Sequence, residues 1–188
     1  MDQSFSKYEE VTISSRPVFQ GKVISLQVDE VRLPDGSTST REIVKHPGAV
    51  AVLALLDGRM IVVEQYRKAM ERSLVEIPAG KREPGEPPEQ AAARELEEET
   101  GWKAGKLEHL CSFYTSPGFA DEILHLYFTD ELQRGNDGLD DDEFLDCFTL
   151  SLEEAWNYIR EGKIRDAKTV LAVYAWQNMV LTGKLARG

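Results

Sequence analysis

Residues 80–102 read GKREPGEPPEQAAARELEEETGW, and this stretch decides how the chain around it folds. Pro87 and Pro88 suit the first turn of a helix, where a missing backbone N–H costs no intrahelical hydrogen bond. The alanines that follow favour helix, and Gly101 stands where a left-handed residue would end it. We therefore predict a helix from about Pro87 to Thr100, preceded by a loop.

The predicted helix carries three glutamates on one face. At about 100° per residue, Glu98 and Glu99 lie about −60° and about +40° from Glu95. Carboxylates at these spacings repel one another, and the helix dipole disfavours anions near the C-terminal end. We therefore expect a positive group among them, and oxygen ligands on one rigid face suit Mg²⁺ or Mn²⁺. On the acids alone, the alternative is a solvated acidic face.

The whole segment follows the pattern G-x5-E-x7-R-E-U-x-E-E-x-G-U, in which U is a bulky apolar residue. On this motif the chain resembles the Nudix hydrolase family. The fixed positions are filled by Gly80, Glu86, Arg94, Glu95, Glu98, Glu99 and Gly101. Leu96 and Trp102 take the apolar positions, and Trp102 is bulkier than the usual aliphatic residue. The resemblance implies that Arg94 and Glu86 are structural and hold the loop against the helix through charge-assisted hydrogen bonds.

The same resemblance implies a divalent metal site. Glu95, Glu98 and Glu99 match the metal-ligand positions of the family, and the backbone carbonyl of Ala79 is expected to join them. Mg²⁺, for which Mn²⁺ is a possible substitute, would bridge two phosphates of a substrate and stabilise developing charge.

Sequence on both sides of the motif is similar to the ADP-ribose pyrophosphatase branch of the family. The similar segments are TREIV (40–44), HPGAV (46–50), EQYR (64–67), LVEIPAG (74–80) and SPGF (116–119). This resemblance implies magnesium-dependent hydrolysis of the pyrophosphate bond of ADP-ribose to AMP and ribose 5-phosphate. One alternative is an enzyme that prefers another nucleoside diphosphate sugar, such as ADP-glucose or GDP-mannose. Another is a non-catalytic ADP-ribose sensor on the same fold.

Five residues outside the helix are expected to bind the substrate by this resemblance. Phe19 would stack on the adenine, and the alternative is an apolar contact within a small sheet. Arg41 and Glu42 would reach nucleotide groups from a hairpin, and the alternative is a surface ion pair. Arg67 could grip a phosphate bidentately, and the alternative is an internal ion pair. Gly118 would shape the pocket wall.

The catalytic base has two candidates. The acidic stretch from Asp130 to Glu143, which contains Gly135 and Gly138, is predicted to be a loop. By resemblance, Glu143 matches a loop glutamate that takes a proton from the attacking water. The competing base is Glu98, and a solvated acidic loop is the alternative role for the stretch.

The fold class predicted for the chain is α/β. Apolar and alternating segments predict strands at Val23–Leu33, Ser37–Lys45, Ala49–Leu56, Met60–Tyr66, Leu107–Tyr114, Ile123–Thr129 and Phe144–Leu150. Two further helices are predicted, one starting after Ser151 and one over about Asp166 to Leu181. We expect a Nudix-type α/β/α sandwich with a mixed sheet over residues 48–188. Residues 1–47 are expected to form a small antiparallel sheet that is exchanged between the subunits of a homodimer.

Bulk properties limit the partners of the chain. The formal net charge of −11 disfavours binding to nucleic acid, because an acidic surface repels phosphate backbones. The longest apolar run, from Ala49 to Leu56, is too short to cross a bilayer, so no membrane partner is expected. The start of the chain lacks the features of a signal peptide, and Cys111 and Cys147 are expected to be unbridged thiols of a cytoplasmic protein, with a disulfide as the alternative.

Overall fold

In the computed structural model, which describes residues 7–135 and 144–184, the chain forms β-strands, α-helices and one short 3₁₀ turn. The strands are β1 (Val11–Gln20), β2 (Ser25–Arg32), β3 (Thr38–Lys45), β4 (Ala49–Leu56), β5 (Arg59–Arg67), β6 (Arg72–Glu76), β7 (Ala79–Lys81), β8 (Trp102–Ala104), β9 (Glu108–Tyr114), β10 (Ile123–Thr129), β11 (Leu132–Arg134) and β12 (Leu145–Leu150). The helices are α1 (Pro88–Thr100), α2 (Leu152–Glu161) and α3 (Ala167–Thr182), and the 3₁₀ turn spans Lys68–Met70.

The chain divides into two units, and the N-terminal unit joins the residues up to Gly48 with the segment Tyr114–Glu122. Its antiparallel sheet has the order β1-β2-β3. The segment is tied to β3 by two backbone hydrogen bonds, from Val44 N to Phe119 O at 2.7 Å and from Asp121 N to Val44 O at 3.1 Å. The pairing of β2 with β3 confirms the predicted hairpin. Strand β1, which pairs with β2, was not predicted.

Strand β1 escaped the sequence patterns because its register is irregular. The pairing of β1 with β2 shifts between Thr12 and Ser14 and again between Pro17 and Phe19. Each irregularity moves the following side chains to the other face, so apolar residues do not alternate with polar ones. All ten residues of β1 are exposed.

The second unit is built on a seven-stranded sheet. Its main path runs β12-β5-β4-β10-β9, with β6 added to β5 and β7 added to β4. Strand β10 pairs in parallel with β4, whereas β5, β6, β7 and β12 pair in antiparallel fashion. The predicted mixed sheet is confirmed, and the short strands β6, β7, β8 and β11 were not predicted.

Helices cover both faces of this sheet, as the predicted α/β/α sandwich requires. On one face, α1 inserts Ala91, Ala92 and Leu96 against side chains of β4. On the other face, buried side chains of α2 and α3, such as Ala155 and Trp176, pack against alternate residues of the central strands. Strand β4 lies between the two layers, and its first six residues are buried.

The helix ends follow the sequence signals. Gly101 adopts φ 69°, and its N–H donates to Glu97 O at 2.8 Å, which ends α1 as predicted. Ser151 and Glu154 form the predicted capping box at the start of α2. Gly183, at φ 64°, ends α3.

Cys111 and Cys147, both within the described residues, form no disulfide. No helix in the described ranges has the length and apolar character needed to traverse a membrane.

Candidate active site

Helix α1 carries its acids on the same side as its buried alanines. At about 100° per residue, Glu95 and Glu99 lie within about 80° of the fully buried Ala91 and Ala92. Glu95 and Glu99 are accordingly mostly buried, at 8% and 5% exposure, while the Glu98 side chain is 37% exposed. Two of the three carboxylates are thus held inside the protein, where an uncompensated charge would be costly.

Strand β7 lies directly against these carboxylates. A Cβ atom on Gly80 would stand only 2.0 Å from the carboxyl carbon of Glu95. The N–H of Ala79 donates a hydrogen bond to Glu99 Oε2 at 2.9 Å. Gly80 is therefore required here for its lack of a side chain, which lets the backbone approach the acids closely.

The acids and β7 line a cleft of about 300 Å³, which we call the acidic cleft. Its walls are formed by Gln65, Arg67, Ala79, Gly80, Lys81, Glu83, Arg94, Glu95, Glu98 and Glu99. All four residues predicted as metal ligands are among them, and so is Arg67. Both carboxylates and basic side chains line the cleft, so it can hold cations and anions side by side.

Arg94 lies at the centre of the charged network. Its guanidinium donates to Glu86 Oε1 at 3.0 Å and to Glu98 Oε2 at 2.8 Å, and it lies 3.0 Å from Glu95 Oε1. The hydrogen bonds with Glu86, followed by the charge of Glu95, raise the pKa of Arg94 above its ordinary value. The same Arg94 hydrogen bonds lower the pKa of Glu86. The positive group expected among the acids is therefore present in the chain itself.

The acidic cleft offers carboxylate and carbonyl oxygens as candidate ligands for a metal. Among the described residues, no three His, Cys, Asp or Glu side chains are arranged as a formed metal site. Glu95 and Glu98 turn to Arg94, and Glu99 accepts from Ala79. Only oxygen donors meet here, and Mg²⁺ needs only one or two carboxylates, with water and phosphate completing its coordination. The residues fit such an ion once the Arg94 contacts loosen.

Arg67 occupies the internal ion pair that the sequence left open as its alternative role. It binds Glu76 with two hydrogen bonds, and Glu76 is 1% exposed. Lys168 of α3 contacts the same carboxylate. Burial raises the pKa of Glu76, but the hydrogen bonds from Arg67 and the charge of Lys168 outweigh it, so the pKa is lowered overall. Arg67 still lines the acidic cleft with part of its side chain exposed.

The other predicted substrate residues lie in the N-terminal unit. Arg41 makes the surface ion pair that was its alternative role, with Nε 2.7 Å from Glu10 Oε2. Glu42 is exposed on β3, and Phe19 is 56% exposed on β1. Gly118 lies in an exposed turn, with no atom within 4 Å of an added Cβ.

Only one of the two candidate bases lies within the described residues. Glu143 lies outside the described residues, whereas Glu98 lines the cleft. Gln65 and Lys81 also line the cleft and were missed. Glu76 was missed as the partner of Arg67, although a charged residue within the apolar run LVEIP is itself a signal of a buried ion pair.

Comparison with known proteins shows the family of the chain. The model of the NUDIX domain matches residues 45–173, and the nucleoside diphosphate sugar hydrolase N-terminal domain matches residues 10–44. The chain therefore belongs to the Nudix hydrolase family.

Relatives and a solved structure extend the comparison. The chain is 56% identical over 169 residues to a methanol dehydrogenase activator of Bacillus methanolicus. The aligned region covers 88% of this chain and 91% of that protein. The chain is 54% identical over 168 residues to an ADP-ribose pyrophosphatase of Bacillus subtilis (strain 168), with the same coverage. The crystal structure of an ADP compounds hydrolase matches 96% of this chain and 98% of its own with a TM-score of 0.83; at 20% identity this likeness concerns the fold alone.

Proposed function

We propose that the chain hydrolyses the pyrophosphate bond of ADP-ribose, giving AMP and ribose 5-phosphate, with Mg²⁺ as its cofactor. The observation that carries the proposal is the acidic cleft, in which Ala79, Glu95, Glu98 and Glu99 line one space with basic side chains. The choice of substrate is supported by the ADP-ribose pyrophosphatase that is 54% identical to this chain.

The side chains of the cleft divide the work between binding and proton transfer. Glu95, Glu98, Glu99 and the Ala79 carbonyl would hold Mg²⁺, which when bound neutralises phosphate charge and favours attack by water. Arg67, already fixed in direction by Glu76, offers its exposed edge to a phosphate oxygen.

Either Glu98 or Glu143 takes the proton from the attacking water. The side chain of Glu98 is more exposed than those of Glu95 and Glu99, which supports its candidacy. The two candidates separate by mutation, because replacing the base lowers kcat while metal uptake is kept. Glu143→Gln should therefore abolish turnover and keep magnesium binding if Glu143 is the base, whereas loss of both in Glu98→Gln marks Glu98 as a ligand.

A homodimer in the cytoplasm is the proposed working form. Its support is β1, whose ten residues are exposed in the single chain, including Val11, Ile13, Val18 and Phe19 at 45–56%. Exposed apolar side chains along an edge strand favour pairing with another chain that would bury them. In such a dimer Phe19, Arg41, Glu42 and Gly118 would bind the nucleotide from the exchanged sheet. The two unbridged thiols support a reducing compartment.

The test is product analysis of a panel of nucleotides. With Mg²⁺, ADP-ribose should give AMP and ribose 5-phosphate faster than ADP-glucose or GDP-mannose does. Glu99→Gln should lose most of the turnover, and Glu97→Gln, on the opposite side of the same helix, should retain it. Faster cleavage of another sugar nucleotide would replace the substrate assignment, and binding without AMP release would indicate a sensor.

A second function is favoured by the relative with 56% identity, which is named a methanol dehydrogenase activator. The chain would then raise the rate of a methanol dehydrogenase. Mixing experiments with such an enzyme test this role. Activation that persists with Glu99→Gln would separate it from hydrolysis, and no rate change with the wild type would exclude it.

A further inference from the structure

A second cavity adjoins the acidic cleft at the C-terminal end of α1. It measures about 440 Å³ and shares Glu98 and Glu99 with the cleft. A group attached to a phosphate in the cleft can therefore continue into this cavity without leaving the protein surface. We call it the Trp102 cavity, after one of the residues that line it.

The walls of the Trp102 cavity combine apolar surface with one basic side chain. Leu56, Leu145 and Phe148 provide apolar contacts, and Arg134 lies at the wall with its guanidinium carbon 4.4 Å from the centre of the Trp102 ring. Among the residues that the structure describes, Arg134 forms no ion pair with a carboxylate, so the N–H groups of its guanidinium can serve a ligand.

The position of Arg134 over Trp102 is fixed by the backbone. The two residues are direct partners in the antiparallel pair of β8 and β11. Hydrogen bonds close this ladder at both ends, from Gly135 N to Gly101 O at 2.9 Å and from Gly105 N to Glu131 O at 2.7 Å. An arginine held over a tryptophan ring has few orientations to lose when it binds a ligand.

We propose that the Trp102 cavity binds the sugar of the nucleoside diphosphate sugar, with Arg134 donating to sugar hydroxyls and Trp102 holding Arg134 in place. The inference rests on the proposed function and names its sugar-side subsite. A sugar ring offers C–H faces for the apolar wall and adjacent hydroxyls for a planar fork of donors. Trp102 is a positioning residue in this account, and it stands where the family motif usually has a smaller aliphatic residue.

The decisive measurement is substrate selectivity. ADP-ribose and ADP-glucose share the ADP half and differ only in the sugar, so the ratio of their kcat/KM values reports the subsite. Arg134→Gln should change this ratio by about tenfold or more, Trp102→Leu should change it in the same direction, and Trp102→Phe should restore most of it. The matched control is Lys103→Ala, because Lys103 lies next to Trp102 but pairs with Glu97.

A general loss of structure would lower both kcat/KM values equally and leave their ratio unchanged. An unchanged ratio in Arg134→Gln, in a variant that melts like the wild type, overturns the proposal. Because Arg134 is exposed, this variant should fold even where Trp102→Leu does not.

A second readout does not depend on hydrolysis. Ribose 5-phosphate should change the tryptophan fluorescence of the wild-type protein, and the change should be absent in Trp102→Phe. The same response to inorganic phosphate alone would show that the cavity binds an anion rather than a sugar, and would overturn the proposal. If ADP-ribose is not cleaved but ribose 5-phosphate still gives this response, the proposed function fails and the sugar site stands.

Discussion

Arg67 donates two parallel hydrogen bonds to Glu76, from Nε to Oε1 at 2.8 Å and from Nη2 to Oε2 at 2.7 Å. Glu76 is buried at 1% exposure, so its carboxylate is solvated by Arg67 and Lys168 instead of by water. The pair joins the ends of β5 and β6 beneath the acidic cleft, and it fixes the direction of Arg67 before any substrate arrives.

Removing one partner of this network should be costly. Glu76→Gln leaves Lys168 and Arg67 without their shared carboxylate, and we expect a loss of about 3–5 kcal/mol in the free energy of unfolding. Urea denaturation measures it. The control is Glu71→Gln, which breaks the exposed Lys68–Glu71 pair and should change the free energy of unfolding by less than about 0.5 kcal/mol. Equal effects of the two variants would show that burial of Glu76 contributes nothing.

Glu76 should also make stability depend on pH. Its pKa is lower in the folded protein than the ordinary value of about 4.3. The unfolded chain therefore binds a proton at a higher pH than the folded chain does. The contribution to stability is complete above the ordinary value and is lost as pH falls through the folded pKa. Urea denaturation between neutral and acid pH should show a shallower decline in Glu76→Gln than in the wild type.

Gly80 should tolerate no side chain. In Gly80→Ala the new methyl group would overlap the Glu95 carboxylate, which must move away from the cleft. A displacement of this size should lower kcat by about 100-fold. Steady-state kinetics measure the loss, and circular dichroism confirms the fold. The control is Gly105→Ala, which should keep its activity. Its methyl group would lie 3.2 Å from Glu131, and neither residue lines the cleft.

Magnesium should stabilise the protein through the acids of α1. Because a ligand bound only by the folded state adds free energy, saturation at 100 times the dissociation constant should add about 2.7 kcal/mol. Thermal melting with and without a chelator tests this. The Tm increase should disappear in Glu95→Gln and persist in Glu97→Gln. No increase in the wild type, with or without nucleotide, would remove the metal from the mechanism.

The exposed strand β1 should mediate dimerisation. Ile13→Lys places a charge among the apolar side chains of this strand, and we expect a lower dimer fraction in light scattering after gel filtration. Leu181→Lys is the control, since Leu181 is also exposed but lies on α3. A wild-type protein that is monomeric across all concentrations would contradict the exchanged sheet.

The sequence predicted the parts of the fold that depend on local signals. Helix α1 was predicted from its prolines and Gly101, and the grouping of Glu95 with Glu98 and Glu99 followed from helical geometry alone. Strand β4 is an uninterrupted apolar run and β10 is mainly apolar, which is why both were found with the observed bounds.

The sequence could not predict features that depend on distant partners. The pairing of Arg67 with Glu76 and Lys168 joins three separate elements, and no local pattern specifies it. The side-chain directions in the cleft could not be predicted either. Spacing placed the carboxylates on one face, but it could not show that Arg94 would bind two of them. Strand β1 was hidden by its register shifts.

The two buried methyl groups of Ala91 and Ala92 set the distance between helix α1 and strand β4. Because Glu95 and Glu99 lie on the same side of the helix as these alanines, a bulkier residue at either position would push α1 away from β4 and move the carboxylates with it. The position of the carboxylates that would hold the metal and the pyrophosphate thus depends on two buried residues that no substrate contacts. Natural variation at these alanines would tune catalysis while leaving every charged residue of the motif unchanged.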